Sequence, residues 1–374
     1  MTYALMWVGF GAYVGLLVAA PSLDRRLVWG VICTLLLAFA VAPPLLSHDV
    51  YSYIDYARLG VVHGLNPYVH APAAAPADPA FTDVEWRHTT SVYGPLFTLL
   101  TYPLAWLSVG LATWVLKALA AAAVLAIALL LARLAPARGI DPRRAAAFVA
   151  LNPLVLVHVV GGAHNDAVAM LLATLGVAMV LSARETAGGA AFAAALAIKT
   201  PVALAAPFAL IGTHRTTNEP PTGRKRVYIS RFRPIGRLLL GATLALAAIA
   251  LAAYLAFGWH WLDALTLVAQ RQGKTSHLSI PTTFARITGL DSDSVRTAAL
   301  TLYAVFFMYL LAWTWRGGDW VRAAAWASSG LLLATAWLLP WYLIWALPLA
   351  ALSRDRPLQL LLLALTAFQL AARL

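Results

Sequence analysis

The chain has 374 residues, of which 61% are hydrophobic and only 11% are charged. Soluble domains carry about 25% charged residues, because their whole surface faces water. A mean hydropathy of +0.77 and repeated apolar runs long enough to span a bilayer therefore exclude a soluble enzyme, a nucleic-acid-binding domain and a disordered chain. The formal net charge of +12 then reflects orientation in a membrane rather than binding of nucleic acid. We predict an all-α polytopic membrane protein with a single domain over residues 1–374.

Apolar segments along the chain predict its membrane spans. The first follows no basic region, so we predict that Met1 to Ala20 is an uncleaved span rather than a signal peptide. Cys33 is the single cysteine and lies inside an apolar run, which excludes a disulfide framework. Residues 95–107 and 188–212 are too short or too interrupted to cross simply, and we predict re-entrant or half-helix elements there. The predicted spans are residues 3–20, 27–46, 109–134, 145–160, 166–182, 238–257, 297–315, 320–338, 341–352 and 357–372.

Lys and Arg residues concentrate in six of the connecting loops. These loops hold 18 Lys and Arg residues against six acids, so the positive-inside rule places them in the cytoplasm. The N-terminus and the long loops 47–95 and 258–296 then lie outside, and residues 188–212 must enter and leave on the cytoplasmic side. For the Pro-rich basic loop 213–237, a topology determinant and flexible linker is favoured over a site for anionic lipid or a partner. The six loops are residues 21–26, 133–144, 183–187, 213–237, 316–322 and 353–356.

The first outer loop carries the strongest functional signal. After Pro43-Pro44 its apolar residues recur at helical spacing, which predicts a short amphipathic helix in the outer interface. Asp49 begins this helix at the edge of the membrane, where a carboxylate is costly unless it has a use. It is either a functional acid or a helix cap, a role that Ser47 or Ser52 would fill equally well. The apolar residues of this helix are Val50, Tyr53, Ile54, Ala57 and Val61.

Several short motifs follow one another through most of the chain. They are His48-Asp49-Val50-Tyr51, Gly64-Leu65-Asn66-Pro67-Tyr68, Tyr93-Gly94-Pro95, Leu151-Asn152-Pro153, Gly161-Gly162-Ala163-His164-Asn165-Asp166, Lys199-Thr200-Pro201 and Pro340-Trp341-Tyr342-Leu343-Ile344-Trp345. This ordered set resembles the GT-C superfamily of membrane glycosyltransferases. Within it, the chain resembles the actinobacterial polyprenyl-phosphomannose-dependent α-mannosyltransferases of the α-1,6 type, which tend to be longer.

The resemblance implies a fold and an activity. The fold is a GT-C-like bundle of about 10 to 12 transmembrane or re-entrant helices, with an interfacial helix in the first outer loop. The activity is the inverting transfer of a sugar, with mannose favoured, from a polyprenyl-phosphate carrier to a glycolipid or polysaccharide acceptor. The active site would face the extracytoplasmic side of a bacterial plasma membrane, with Asp49 as general base. The expected partners are the lipid-linked donor, the acceptor and membrane lipid, with no nucleic acid, metal or further cofactor.

Three further groups of polar residues are candidates for binding substrate. His164-Asn165-Asp166 adjoins a very apolar helix and either orients sugar hydroxyls or caps that helix. Lys199 stands beside a predicted helix N-terminus, with Thr200 as cap and Pro201 as first residue. It either binds the lipid phosphate, pairs with a buried acid or snorkels to the interface. Asp55 is a second candidate acid, although a solvated surface position is favoured for it.

The remaining candidates come from both outer loops and from the C-terminal motif. In the second loop Arg271, Lys274 and His277 are candidates for phosphate binding, and contacts with the membrane surface explain them equally well. Trp341 and Tyr342 either contact sugar or anchor the chain at the interface. The substrate-binding candidates of the first loop are His48, Tyr51, Tyr68, Arg87 and Tyr93.

Two other classes of function stay open at this point. A flippase or transporter of lipid-linked sugars predicts charges at mid-membrane and repeat symmetry, whereas the candidate acids cluster at the outer edge. A glycan polymerase or ligase that consumes polyprenyl-diphosphate donors would depend on outer-loop arginines and histidine. Among glycosyltransferases, glucose, galactose and arabinose carriers are alternatives to mannose.

Overall fold

The computed structural model describes residues 2–216, 233–271, 276–277 and 279–371. Throughout these residues the regular secondary structure is helical, which confirms the all-α prediction. The α-helices in chain order are α1 (Thr2–Ala19), α2 (Arg25–Val41), α3 (Asp49–Val61), α4 (Pro95–Thr101), α5 (Val109–Leu134), α6 (Pro142–Ala150), α7 (Asp166–Leu181), α8 (Glu185–Ile198), α9 (Ala205–Thr216), α10 (Arg233–Phe257), α11 (Asp263–Arg271), α12 (Ile280–Thr288), α13 (Ser292–Trp315), α14 (Trp320–Ala334), α15 (Leu347–Ala351) and α16 (Arg356–Ala371).

One predicted span is divided where a proline interrupts the chain. The prediction of a continuous span over residues 145–160 is wrong, because α6 ends before Asn152-Pro153 and a separate π-helical segment covers Val155–Val160. Proline offers no N–H to a helix. The Asn152 side chain accepts the N–H of Leu154 at 3.0 Å, which satisfies one of the donors that the break frees.

Two other predicted spans differ for the same physical reason. Residues 341–352 are not one helix, because Pro340 begins a 3-10 segment that ends at Trp345, and the five-residue α15 follows with Pro348 in its first turn. The span predicted at 27–46 ends earlier, at the C-terminus of α2, before Pro43-Pro44. These breaks place irregular backbone and its side chains inside the bundle.

The outer surface of the bundle is apolar. Among the described residues, three helical stretches are long and apolar enough to cross a membrane, namely Val109–Leu134, Pro234–Leu267 and Ser292–Trp315. On the last of them, Leu302 and Val305 are 71% and 64% exposed. Large apolar side chains in such numbers are unfavourable in water, so this surface faces lipid. The chain is an all-α membrane protein.

The basic loops that the charge pattern groups together lie at one end of the bundle, which we call the distal end. Arg143, after α5, donates to the Leu23 carbonyl between α1 and α2 at 2.7 Å. Arg138 pairs with Asp319, between α13 and α14. Glu185, at the start of α8, lies 3.9 Å from Arg237 of α10. The grouping is therefore consistent with the fold, while the side of the membrane that this end faces stays a prediction. Residues 217–232 of the basic loop lie outside the described residues.

Residues 188–212 form a broken hairpin with α8 and α9 as its arms. Both arms meet the distal end, where the Trp320 ring covers Gly212 on α9. At the bend between the arms, Lys199 contacts Asp166 at the start of α7. The segment therefore enters and leaves the bundle at the same end, as the charge pattern requires. We call the opposite end, which carries Asp166 and Lys199, the site end.

The short helix of the first long loop is enclosed rather than half exposed. Eight of the 13 residues of α3 are buried, including the polar Ser52 and Asp55, and the other five are half-buried. Arg58 on α3 pairs with Asp78 at 2.8 Å, because the loop after the helix folds back across its polar face. The helix was predicted correctly, but its amphipathic exposure at the interface was not. This enclosure fixes the first residue of α3, Asp49, at the rim of the packed core.

Candidate active site

Asp49 lies at the site end with its carboxylate free of a capping role. The Trp86 indole Nε1 donates to Asp49 Oδ1 at 3.1 Å. His48 occupies the cap position of α3, and the Ser47 hydroxyl accepts the Asp49 N–H at 3.3 Å. The helix-cap alternative for Asp49 is therefore wrong. With 17% of its side chain exposed, the carboxylate is reachable from outside the core.

His164 lies beside this carboxylate. Its Nδ1 is 3.7 Å from Asp49 Oδ2, and its ring stacks on the Trp341 indole with the centroids 3.8 Å apart. Burial lowers the pKa of His164 well below its usual value, so the imidazole is neutral at neutral pH. It therefore brings hydrogen-bonding capacity, and no charge, to the Asp49 carboxylate. Trp341 is buried against His164, so the interface-anchor alternative is wrong for Trp341.

Asp166 and Lys199 form an ion pair next to these residues. Lys199 Nζ lies 2.6 Å from Asp166 Oδ2, and the Trp345 indole donates to Asp166 Oδ1 at 2.6 Å. The ammonium also lies 5.1 Å from the centroid of the Tyr342 ring, which stacks on Trp345 at 4.0 Å. Of the alternatives for Lys199, the pairing with a buried acid is the one observed. The ion pair leaves the ammonium with two further donors.

The environment of Asp49 makes it a better proton acceptor. Burial raises the pKa of the Asp49 carboxyl above its usual value of 3.8. The Trp86 hydrogen bond and the Lys199 charge lower this pKa, and the nearby Asp166 charge raises it, so the effect of burial is only partly offset. A carboxylate with a raised pKa takes up a proton more readily. Perturbed acids of this kind are typical of catalytic sites.

Asn165 lies between His164 and Asp166 in the chain. It occupies the cap position of α7, but its side chain makes no capping bond, so the cap alternative is wrong for Asn165. The residue is 2% exposed. In the described part of the chain, neither Oδ1 nor Nδ2 has a hydrogen-bond partner. Its amide keeps both a donor and an acceptor for a polar ligand.

Lys117, which the sequence analysis missed, holds the backbone behind these residues. It is fully buried in α5 and donates to the Gly161 carbonyl at 2.6 Å and to the Pro43 carbonyl at 3.4 Å. The Gly161 carbonyl also accepts the Leu45 N–H at 3.1 Å. Lys117 thus joins the segment before Asp49 to the loop that carries His164. A lone cation inside the most apolar run of the sequence was the available signal.

The Tyr93-Gly94-Pro95 motif joins the first loop to Lys199. The Gly94 N–H donates to the Ile198 carbonyl at 3.2 Å, at the C-terminus of α8. A Cβ on Gly94 would lie 2.1 Å from the Ala197 carbonyl oxygen, so only glycine allows this approach. Tyr93 packs edge-on against Tyr53 of α3 with centroids 4.7 Å apart. The motif is therefore a structural joint between α3 and the bend of the hairpin.

Asp55 lies away from this group of residues. The preferred prediction of a solvated surface position is wrong, because Asp55 is only 1% exposed. Burial raises the pKa of its carboxyl to about 7, the Asp78 charge adds to the rise, and His63 and Arg58 oppose it. The loop that folds across α3 buries this carboxyl, a tertiary effect that helical spacing does not report.

Other candidates of the first loop serve its own structure. Arg87 donates to the Val84 carbonyl at 3.1 Å and the Thr82 carbonyl at 3.0 Å. The Tyr68 hydroxyl is buried and donates to the Tyr93 carbonyl at 2.8 Å. The His48 and Tyr51 rings meet edge-on with centroids 5.8 Å apart, next to Asp49 in the chain. The structure thus brings Trp86, rather than Arg87, to the Asp49 carboxylate.

The second long loop is described in part. Arg271 ends α11, Lys274 lies outside the described residues, and His277 is exposed. The Ser276 N–H donates to the Ala336 carbonyl at 2.8 Å, which fixes this point of the loop near the chain that leads to Trp341. The candidate roles of these cations stay predictions.

The helix start predicted at Thr200 differs in detail. Lys199, not Thr200, occupies the cap position, and the following element is a five-residue 3-10 helix. α8 ends at Ile198, and Pro201 lies in the first turn of the 3-10 helix, where its missing N–H costs nothing. The Lys199 side chain, rather than a long helix N-terminus, is therefore the cationic feature at this bend.

Metal ligation finds no support in the described residues. Within them, no group of three or more His, Cys, Asp or Glu side chains is placed to hold an ion. The arrangement instead combines a reachable carboxylate of raised pKa, a neutral imidazole, an ammonium and stacked aromatic rings. The fold and these groups indicate a membrane enzyme whose chemistry suits proton abstraction from a hydroxyl and binding of a sugar or phosphate.

Comparison with known proteins identifies the family. The N-terminal domain model of the alpha-(1->6)-mannopyranosyltransferase family matches residues 1–215, and the chain belongs to this family. It is 29% identical to alpha-(1->6)-mannopyranosyltransferase A of Mycobacterium tuberculosis, over 93% of this chain and 70% of that protein. It is 30% identical to the Corynebacterium glutamicum protein of the same name, over 52% of this chain and 41% of that protein. A probable alpha-(1->6)-mannopyranosyltransferase of Mycolicibacterium smegmatis is 26% identical, over 93% and 68%. The resemblance predicted from the motifs is confirmed, and the chain is a membrane glycosyltransferase.

Proposed function

We propose that this enzyme transfers mannose from a polyprenyl-phosphate carrier to a glycolipid or glycan acceptor at the outer face of the plasma membrane. The observation that carries the proposal is the convergence of Asp49, His164 and the Asp166–Lys199 pair at one end of an apolar bundle. These side chains come from separate parts of the chain and meet where lipid-linked and water-facing substrates would meet. Membership of a transferase family favours this reaction over translocation.

Asp49 is the proposed general base. The acceptor oxygen forms a bond to the anomeric carbon of the donor sugar, while the bond from that carbon to the phosphate oxygen breaks. The acceptor proton passes to the Asp49 carboxylate, and the bonding electron pair leaves with the polyprenyl phosphate. Attack from the side opposite the phosphate inverts the anomeric carbon. The raised pKa of Asp49 matches its basicity more closely to this proton transfer.

Lys199 is the proposed contact for the leaving phosphate. One of its N–H groups is directed at Asp166 at 2.6 Å, and 19% of its side chain is exposed. Its remaining donors can stabilise the negative charge that grows on the departing phosphate. Asp166 and the Trp345 indole fix the position of the ammonium, so it need not reorganise during the reaction.

Asn165 and the aromatic rings are the proposed sugar contacts. The buried Asn165 amide has an unused donor and acceptor, which suits a pair of sugar hydroxyls. The half-buried Tyr342 ring stacks on the buried Trp345 ring next to Lys199, and its accessible part can contact the C–H groups of a sugar ring. This places sugar binding beside the phosphate contact.

The test is a transfer assay with purified protein and a panel of labelled polyprenyl-phosphate sugars carrying mannose, glucose, galactose or arabinose. A membrane glycolipid extract supplies acceptors. We expect transfer from the mannose donor, and a loss of about a hundredfold or more in Asp49→Asn, because a general base contributes about that factor or more. Asp83→Asn is the matched control, since Asp83 is an exposed acid of the same loop, and should keep wild-type activity.

Each outcome separates one part of the proposal. Transfer from a different labelled donor would mean that the sugar is not mannose, while the reaction class would stand. Full activity of folded Asp49→Asn would remove Asp49 as the base. Analysis of the product anomer decides inversion, since a retained configuration would contradict the direct displacement.

A further inference from the structure

An open pocket of about 910 Å³ lies at the distal end of the bundle, away from Asp49. Three turns of the chain meet there, after α5, between α13 and α14, and between α15 and α16. Among the described residues, Asp319 is the one acid in its lining. The arginines that line it are Arg138, Arg316, Arg322 and Arg354.

Within the part of the chain that the structure describes, two of these guanidinium groups pair with a carboxylate. Arg138 pairs with Asp319, and Arg322 Nε lies 2.5 Å from Asp355 Oδ2. Arg316 and Arg354 are exposed, and neither has an ion-pair partner among the residues that the structure describes. Counting the described residues alone, the pocket therefore carries an uncompensated charge from two arginines at the edge of a low-dielectric bundle.

The walls of the pocket next to these arginines are formed by glycine backbone and by the Trp313 ring. The Arg354 guanidinium lies over Gly139, where a Cβ would be 3.1 Å from Arg354 Nη1. On the other wall, the Trp313 ring packs against Gly318, and the Arg322 guanidinium lies 5.7 Å from the ring centroid. Arg354 and Arg322 thus each lie against a wall of the pocket.

Membrane orientation does not account for this arrangement. The positive-inside rule needs only a number of cations in the loops, wherever they point. Arg133 and Arg356 meet that need without lining the pocket. The convergence of arginines from three separate turns into one concavity needs another explanation.

We propose that this pocket binds a phosphate-bearing anion, held by Arg316 and Arg354. The guanidinium fork matches phosphate oxygens in pairs, and such hydrogen bonds are strengthened by charge. A dianionic or monoanionic phosphate would also relieve the repulsion between the two cations. Basic pockets between helices at the edge of a membrane suit anionic phospholipid headgroups. A soluble phosphate compound offers the same chemistry, and the bound anion would tie the three turns together.

The test compares the wild type with Arg316→Gln/Arg354→Gln and with the matched control Arg133→Gln/Arg356→Gln. In the lipid arm, native mass spectrometry follows binding of phosphatidylglycerol against zwitterionic phosphatidylcholine. In the soluble arm, the thermal midpoint in phosphatidylcholine nanodiscs is followed during titration with pyrophosphate. We expect saturable binding in at least one arm, weakened roughly tenfold for each guanidinium removed and unchanged in the control.

The two arms distinguish the source of the phosphate. Binding of phosphatidylglycerol alone assigns the pocket to lipid, and a response to pyrophosphate alone assigns it to a soluble ligand. Equal binding by the pocket variant and the wild type overturns the proposal, as does the absence of saturable binding in both arms. If the double variant does not fold, Arg354→Lys keeps the charge and removes the fork. That variant should still bind more weakly than the wild type.

Discussion

The ion pair between Asp166 and Lys199 allows a quantitative test of how the site end is held together. Asp166 is fully buried and accepts from both Lys199 Nζ and Trp345 Nε1 at 2.6 Å. In Asp166→Asn the amide oxygen can still accept from Trp345, but the amide N–H groups then face the ammonium. Lys199 loses its partner while 81% of its side chain stays covered, since only 19% is exposed.

The size of the effect follows from the geometry. Unit charges at this separation attract by about 6 kcal/mol at an effective dielectric constant of about 20. Desolvation and the exposed part of Lys199 reduce the net value, and breaking a buried pair typically costs about 3–5 kcal/mol. We expect Asp166→Asn to lower the free energy of unfolding by about 3 kcal/mol. In Asp166→Asn/Lys199→Met no unpaired charge remains, so the double variant should lose about 2 kcal/mol less than the sum of the single variants.

The assay is reversible unfolding of all four proteins in mixed micelles at neutral pH. The pair Asp293–Arg296, with an N–O distance of 2.8 Å and 84% of the Asp293 side chain exposed, is the matched control and should couple by less than about 1 kcal/mol. Additive single effects at Asp166 and Lys199, within about 0.5 kcal/mol, would refute the reasoning. That result would mean that water screens the pair as it screens a surface ion pair.

Three further predictions concern other charged residues. Lys117→Met should reduce the transfer rate, because the hydrogen bonds of Lys117 to the Gly161 and Pro43 carbonyls position the backbone of the site. The thermal midpoint should hold or rise, because burying an ammonium is costly. Activity equal to that of the lipid-facing control Leu119→Met would contradict this. In a plot of kcat/KM against pH, the midpoint of the acidic limb should lie above 3.8, the usual pKa of an aspartate, because burial raises the pKa of Asp49 and a general base must be deprotonated. A midpoint at or below that value would exclude Asp49 as the base. The pKa of Asp55 is raised to about 7, so the folded state favours the protonated carboxyl. Its contribution to the free energy of unfolding is complete below the unfolded-state pKa and falls by about 1.4 kcal/mol per pH unit as the pH rises. The contribution is lost once the pH exceeds the folded-state pKa of about 7. Asp55→Asn should remove this part of the pH dependence of unfolding, and an unchanged profile would show that Asp55 ionises freely in the fold.

The chain's own chemistry made its class and its main acid predictable. An apolar composition with basic residues confined to certain loops predicts a helical membrane protein, because backbone polar groups in lipid must form their hydrogen bonds within helices. Asp49 stood out because it begins a helix at a membrane edge, where a carboxylate is costly. The ordered motifs then predicted the family, which the comparisons confirmed.

Several features of the site depended on contacts between distant segments. The stacking of His164 on Trp341 joins residues 177 positions apart, and no local pattern encodes it. The burial of Asp55 was missed because helical spacing describes one helix, whereas the loop folding back from Asp78 covers the polar face of α3. The prolines at Asn152-Pro153 and Pro340 can be read from the sequence. That they break predicted spans and place irregular backbone inside the bundle cannot.

The sequence by itself determined that this is an all-α membrane protein with a costly acid at the end of a span, because hydropathy and charge act residue by residue. Tertiary structure alone decided which residues surround that acid. Lys117, Trp86 and Trp345 reach the site through packing, since their positions follow from how helices cross rather than from the spacing of their neighbours. The arginine pocket at the distal end also depends on tertiary packing. In the sequence each of its loops is only a group of basic residues that sets membrane orientation, and the fold brings these loops together as one concave surface.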